Sequence, residues 1–287
     1  MSNGKKTLKI GMVDYDLNEW HAENYPDFFK RFSDGKIEIA YVYAIVDGKD
    51  CSARQWADKY NVTLCNSISQ LTELSDGIIV LSPDNPEFHP VLSEIPLASG
   101  KRVFIDKTFS KDYSAAIAML ERAKKYGTTC YSASALCFAD EYKPVIGQAK
   151  RLECTGVGEY ENYSIHQIDP ILTIIGEKAD SVYTDMASQA VVIEFESGKT
   201  ASFRMREHSY KMKLTDDDGK ESEIIIEKDF WENCIRAMTR FFCEGETPVP
   251  NAQTLQAMAI REAGLLSLKD NGRKVYLKEI TEKAIRS

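Results

Sequence analysis

Over the first 134 residues short apolar runs alternate with stretches of helical periodicity, a grammar that is satisfied by helices packed on both faces of a parallel sheet. The runs are Leu8–Val13, Ile37–Val46, Gly77–Leu81, Arg102–Ile105 and Thr128–Tyr131. They are rich in Val and Ile and lack polar alternation, as strands covered on both faces do. The clearest helix is Tyr113–Tyr126, with Ala116, Met119, Leu120 and Ala123 at helical spacing and Gly127 as its stop. Residues 1–134 therefore predict a Rossmann-like, doubly wound α/β domain.

After about residue 135 the pattern changes. Ala190–Arg206 and Met212–Glu227 read as hairpins, turning at Glu196-Ser197-Gly198-Lys199 and at Asp216–Lys220. Two helices follow, Phe230–Glu244 and Ala252–Leu268. Residues 135–287 predict an α+β domain with an open, mainly antiparallel sheet. An open apolar sheet face needs a cover, so a homodimer or homotetramer is expected.

Charge and cysteine usage exclude several classes. The chain carries 36 basic and 44 acidic residues, a net charge of −8, and no dense Lys/Arg stripe, which argues against nucleic acid or an anionic membrane as partner. No apolar run approaches the roughly 18–20 residues of a membrane span. The polar start Met1–Leu8 does not read as an export signal. The seven cysteines are odd in number, scattered and without a Cys-x-x-Cys pair, which predicts reduced thiols in cytoplasm and no metal site. The acidic run Asp216-Asp217-Asp218-Gly219 lacks the later glutamate of a calcium loop and reads as a turn. No Gly-x-Ser-x-Gly elbow or His-Glu-x-x-His supports a hydrolase.

In a doubly wound sheet the ligand lies beyond the carboxyl ends of the strands, so the first strand-to-helix turn is where a dinucleotide's diphosphate would sit. It reads Gly11-Met12-Val13-Asp14-Tyr15-Asp16-Leu17-Asn18, with two carboxylates where Gly-x-Gly-x-x-Gly is expected. A charge about 6 Å from a phosphate costs on the order of 3 kcal/mol at an effective dielectric near 20, roughly a hundredfold in affinity. The second apolar run ends at Asp47, which suits the ribose hydroxyls of NAD and would repel the extra phosphate of NADP; as a bland alternative it is a turn aspartate before Gly48.

Several segments carry a family resemblance. Gly100-Lys101-Arg102-Val103-Phe104-Ile105-Asp106-Lys107-Thr108 resembles the Gly-Lys-His-Val-x-x-Glu-Lys-Pro segment of the Gfo/Idh/MocA oxidoreductases. Ser82-Pro83-Asp84-Asn85 with His89 is similar to the family's Thr-Pro-Asn-x-x-His, and Asn162 through His166 to Asp169, then Ile174-Ile175-Gly176, to its Asp-x-x-x-His-x-x-Asp and Leu-x-Gly. Gly245–Pro250 and Lys274–Leu277 also look like the family, so the resemblance runs in order over about residues 8–280.

The resemblance implies a Rossmann domain that holds NAD, with NADP less favoured, and a second domain that covers a small-molecule substrate. Gly11, Asp14, Asp16, Asp47, Ser82, Pro83 and Asp106 fall at its cofactor positions. It implies that Lys107 and His166 meet beside the nicotinamide, Lys107 polarising the reacting hydroxyl and His166 acting as general base, with Asn162 at the third catalytic position and Asp169 and Tyr163 toward substrate. The implied activity is hydride transfer from a secondary alcohol of a sugar, cyclitol or similar polyol; epimerisation or elimination with a retained cofactor is also compatible. The chain departs from the family at the glycine turn, at Asn162 in place of an acid, and in the short stretch Lys150–Asn162. Those departures favour an alternative, a catalytically silent member serving as a small-molecule sensor or subunit-interaction module. Asp169-Pro170 also reads as a helix cap and first helical residue, His21 and His89 as packing residues, and Tyr160 as packing. Arg204, Arg206 and His208 read as one strand face, solvated or facing a subunit.

Overall fold

A computed structural model describes residues 6–226 and 228–286. Residues 1–5 of the polar start, Glu227 at the end of the second expected hairpin, and Ser287 lie outside the described residues. In chain order the first elements are β1 (Leu8–Asp14), α1 (Trp20–Phe32), β2 (Ile37–Ala44), α2 (Ala53–Tyr60), β3 (Thr63–Leu64), α3 (Ile68–Leu74) and β4 (Gly77–Val80). A short α4 (His89–Leu92), β5 (Arg102–Ile105), α5 (Tyr113–Lys125) and β6 (Cys130–Tyr131) follow. Next come β7 (Arg151–Thr155), α6 (Tyr160–Tyr163), α7 (Ile165–Ile175), β8 (Ala179–Asp185), β9 (Ala190–Phe195) and β10 (Thr200–Arg204). The last are β11 (Lys211–Thr215), β12 (Glu221–Ile224), α8 (Phe230–Glu244), α9 (Asn251–Lys269), β13 (Val275–Tyr276) and α10 (Leu277–Arg286).

The chain divides into two compact units. One comprises the residues up to Lys111, Ala115–Ser132 and Trp231–Asn251; the other comprises Asp112–Ser114, Ala133–Phe230 and the chain from Ala252 onward. The first unit holds a parallel sheet in the order β3-β2-β1-β4-β5-β6, the dinucleotide-fold order that reverses between β1 and β4. Its strands are the apolar runs of the sequence: Met12, Val13, Val42, Ile78, Ile79, Val80, Val103 and Ile105 are fully buried. β2 stops at Ala44, two residues short of the apolar run, because the amides of Ile45 and Val46 turn onto the carbonyl of Tyr15. The edge strand β3 has only two residues and leaves no apolar run to read.

α8 lies far beyond residue 134 in sequence yet packs into this first unit. Phe241 sets its ring edge-on to Tyr131 at 4.7 Å between centroids, and both side chains are fully buried. Phe242 sits against Gly77, where an added Cβ would come within 2.7 Å of its ring, and Arg102 donates to the Phe242 carbonyl. Gly11 has the same kind of packing reason: a Cβ there would lie 2.4 Å from Leu71 of α3.

The second unit is built on a seven-stranded sheet in the order β12-β11-β7-β10-β9-β8-β13. Both hairpins form, turning at Glu196–Lys199 and at the acidic run, where Asp216 Oδ1 accepts from the amides of Asp218 (3.1 Å) and Lys220 (2.9 Å). The sheet is antiparallel except for β7 with β10, which run parallel. Leu152, Cys154, Ile193, Phe203 and Leu214 point inward and are buried. The opposite face corrects the expectation of an apolar surface. It carries Glu153, Glu194 and Lys213, held in ion pairs with Arg151, Lys274 and Glu221, and needs no apolar cover. The expected basic stripe does not form either. β10 ends at Arg204, and Arg206 leaves extended geometry (φ 64°) to grip Glu159.

Candidate functional site

The first unit gathers an uncommon density of ionisable side chains where β1, β5 and α1 converge. Asp14 ends β1 and is buried; its Oδ1 accepts from the Tyr15 amide at 2.7 Å, and its Oδ2 has no hydrogen-bond partner among the described residues. Burial, and then the neighbouring Glu19 charge, hold the Asp14 carboxyl well above the ordinary range. That shift favours the protonated form and weakens the sequence-level objection to a charge at this position. Asp16 does different work: its Oδ1 accepts from the Asn18 amide at 2.9 Å and shapes the turn. Asn18 Oδ1 accepts from the amides of Asp50 (3.1 Å) and Cys51 (3.2 Å) and ties the turn to the segment after β2.

Glu19 was not singled out in the sequence. It is the N-cap of α1, and its carboxylate turns back on its own helix, Oε2 accepting from the His21 amide and Oε1 from the Ala22 amide, each at 2.6 Å. Burial raises its pKa, against the pull of His21. The carboxylate thus occupies the helix N-terminus that serves phosphate in dinucleotide folds. The only local signal is an acid immediately before an amphipathic helix; that its oxygens reach both amides is a property of the folded turn.

His21 is more than the packing residue its position suggested. Its Nδ1 makes a very short contact with Asp106 Oδ2, and both are buried. Burial would strip its proton, but the Asp106 carboxylate overrides that and holds the imidazole charged; burial of Asp106 is likewise outweighed by His21 and Lys107, which hold the carboxyl low. Tyr25 stacks on the imidazole at 5.4 Å and Trp231 meets its edge at 5.4 Å. Asp106 Oδ1 accepts from the Lys107 amide at 2.8 Å, and the buried Lys107 reaches from the end of β5 to donate to the Pro83 carbonyl at 3.2 Å. Ser82, with φ 89°, turns the chain after β4 so that this carbonyl is presented. Asp47 is exposed beyond β2 and accepts from the Ala53 amide at 2.8 Å. His89, in contrast, is a packing residue: it is fully buried, its Nδ1 lies 3.1 Å from the Phe109 carbonyl, and burial lowers its pKa.

The second unit holds the other expected residues. His166 in α7 places Nδ1 2.7 Å from Ser134 Oγ, a partner the sequence did not suggest. Tyr163 and Tyr210 lie 5.7 Å and 5.9 Å from its ring, and Asn162 is half-buried in α6. Tyr160 stacks on Phe203 and donates to the Arg261 carbonyl at 3.3 Å, a packing role. The cap reading of Asp169 is corrected: α7 begins at Ile165, Pro170 lies inside it, and Asp169 Oδ2 accepts from the Ser134 amide at 2.8 Å. Burial pushes Asp169 up to about 7, against the pull of that amide.

Asp169 gives a testable linkage. The unfolded carboxyl loses its proton near pH 4, whereas the native one keeps it until about pH 7. The native state binds more protons between those values, so stability falls as pH rises, by about 1.4 kcal/mol per unit, and levels off above pH 7. Urea unfolding from pH 4 to 8 is expected to show this slope in the wild type and to lose it in Asp169→Asn; equal slopes would refute the assignment.

Residues 11–134 match the family model for Gfo/Idh/MocA, an oxidoreductase family with an NAD-binding Rossmann fold. The Rossmann domain is a Gfo/Idh/MocA domain. Solved structures share the fold over nearly the whole chain. A probable dehydrogenase from Thermotoga maritima is 19% identical with a TM-score of 0.75, covering 95% of this chain and 100% of its own. Scyllo-inositol dehydrogenase from Lactobacillus casei with bound NAD(H) and scyllo-inositol is 15% identical, TM-score 0.76, covering 95% and 99%. Myo-inositol dehydrogenase from the same organism, in complex with NAD(H) and myo-inositol, is 12% identical, TM-score 0.79, covering 94% and 97%. At these identities the likeness is one of fold. Comparison with curated proteins gives no match.

The Gfo/Idh/MocA domain can be tested against the group its family model names. The amides of His21 and Ala22 already hold two oxygens of an anion, at 2.6 Å each, as a phosphate would require. The Asp14 carboxyl beside them is held well above its ordinary range, and Asp47 is exposed beyond β2. The seat fits a dinucleotide once the Glu19 side chain has swung out. No helix among the described residues is long and apolar enough to cross a membrane, and all seven cysteines are free thiols.

Proposed function

We propose that this chain is an NAD-dependent oxidoreductase acting on a secondary alcohol of a sugar, cyclitol or similar small polyol. The observation that carries the reading is Lys107, a buried lysine fixed between the Asp106 carboxylate and the Pro83 carbonyl at the carboxyl end of the Gfo/Idh/MocA sheet. The inositol dehydrogenases that share the fold support the polyol class.

Bound NAD supplies the hydride acceptor. Asp47 receives ribose hydroxyls, the His21 and Ala22 amides receive the diphosphate, and Asp14, Asp16, Ser82, Pro83 and Asp106 form the surrounding strand ends, with Gly11 inside β1 beneath them. His166, whose Nδ1 is engaged by Ser134 Oγ, takes the hydroxyl proton at Nε2 as the carbinol carbon is oxidised. The Lys107 ammonium stabilises the alkoxide that develops. Asn162, Tyr163 and Asp169 bind the substrate's other hydroxyls. The scattered free thiols suit a cytoplasmic enzyme, and a homodimer or homotetramer follows from the family resemblance.

Calorimetric titration of cofactor-stripped protein tests the reading. NADH is expected to bind in the micromolar range and NADPH at least tenfold more weakly, because the Asp47 carboxylate repels the 2′-phosphate. Equal or tighter NADPH binding would overturn the role of Asp47, and no binding of either at millimolar concentration would overturn the dehydrogenase. The Glu19 carboxylate in the phosphate seat favours a second reading, a silent member that senses a small molecule; that reading predicts the latter outcome.

A further inference from the structure

We infer that Glu19 is a built-in competitor for the dinucleotide: its carboxylate holds the two α1 amides that the incoming diphosphate needs, and the cofactor enters by displacing it. The inference rests on the NAD reading of the same cleft and adds an internal occupant to it.

An ordinary helix cap explains the contact less well. Caps are commonly short side chains, and Ser, Thr or Asn satisfies the first amides without bringing a second carboxyl into play. Glu19 reaches its own amides with both oxygens, and does so beside buried Asp14. Burial raises both carboxyls, helped by the Glu19 charge at Asp14 and by the Asp106 charge at Glu19, so the arrangement costs more than a serine cap. Around the pair stand Asp16 on the turn, His21 on α1, and Asp106 on the end of β5. The His21 charge and the two helix amides hold the Glu19 carboxylate, while the Asp106 charge opposes them.

The turn is also built so that only the side chain has to move. Asp16 and Asn18 fix its backbone by hydrogen bonds to Asn18, Asp50 and Cys51. The Glu19 carbonyl accepts the first bond of α1, from the Glu23 amide at 3.1 Å. Rotation of the Glu19 side chain toward solvent uncovers the His21 and Ala22 amides without unwinding the helix.

The test compares the wild type with Glu19→Ser, which keeps a neutral hydroxyl cap, and Glu19→Gln, which keeps the length. Each is titrated with NADH and separately with inorganic pyrophosphate, after thermal melting has shown it to be folded. Both variants are expected to bind NADH about tenfold to a hundredfold more tightly than the wild type, and to bind pyrophosphate where the wild type does not. Variants that match the wild type with both probes overturn the inference; if NADH binding is nevertheless measurable, the NAD reading survives. Pyrophosphate captured by the variants alone, with NADH bound by none of the proteins, overturns the NAD reading and with it the competition with a dinucleotide. Failure of every protein to bind either probe overturns both.

Discussion

Replacing Lys107 with methionine is expected to lower kcat/KM for polyol oxidation about 100- to 1000-fold, equivalent to about 3–4 kcal/mol of transition-state stabilisation. The side chain is buried, and its ammonium is the charge that the developing alkoxide would meet. Methionine keeps most of the stem volume while removing the charge and the donation to the Pro83 carbonyl. The backbone amide of residue 107 continues to donate to Asp106, so the end of β5 stays organised. The measurement is steady-state NADH formation with a polyol that the wild type turns over, beside an NADH titration. Lys107→Arg, which keeps a cation, is expected to recover part of the loss. Turnover within a fewfold of the wild type in the methionine variant would remove Lys107 from the chemistry.

The second large effect concerns the fold under the site. His21→Ala should destabilise the protein by about 3–5 kcal/mol, because it leaves the Asp106 carboxylate buried without its cation. Removing both partners, as His21→Ala with Asp106→Ala, should cost less than the sum of the single losses. The pH dependence has a definite sign. His21 is raised in the native state, so its contribution is complete below the ordinary imidazole range and disappears as pH rises through its elevated value. Asp106 is lowered, so its contribution is present above the ordinary carboxylate range and is lost as pH falls through its depressed value. The deficit of His21→Ala is therefore largest between those ranges, roughly pH 4 to 6.5. Urea unfolding in that window, with a deficit under about 1 kcal/mol, would show that the pair carries little of the stability.

Much of the fold is legible in the sequence because its determinants are local. The Val- and Ile-rich runs become β1, β2, β4, β5 and β6 within two residues, and Gly198 and Gly219 mark the hairpin turns. β3 escaped because a two-residue edge strand has no periodicity, and α7 started earlier than Pro170 suggests because its first turn is set by Ile165 and Ile168, both buried. Of the residues drawn from the family resemblance, Asp14 and Asp106 lie at strand ends, whereas Gly11 lies inside β1 and Asp169 inside α7. What remained hidden depends on contacts between distant segments. Glu19 is unremarkable until its turn folds over the start of α1. His21 and Asp106 are 85 positions apart, and Ser134 and His166 are 32 apart. No spacing rule joins such pairs.

The return of α8 to the first unit bears on how such a protein can be shuffled by recombination. Trp231–Asn251 belongs to the Rossmann unit although most of the other unit is encoded before it. A single crossover near residue 134 would transmit the sheet without the helix that supplies Phe241 and Phe242. A hybrid would therefore inherit Gly77 and Tyr131 shaped for aromatic rings from one parent and the rings themselves from the other. Exchange of the second unit between relatives needs a further junction where that unit resumes at Ala252, because β13 beyond it pairs with β8 inside Ala133–Phe230.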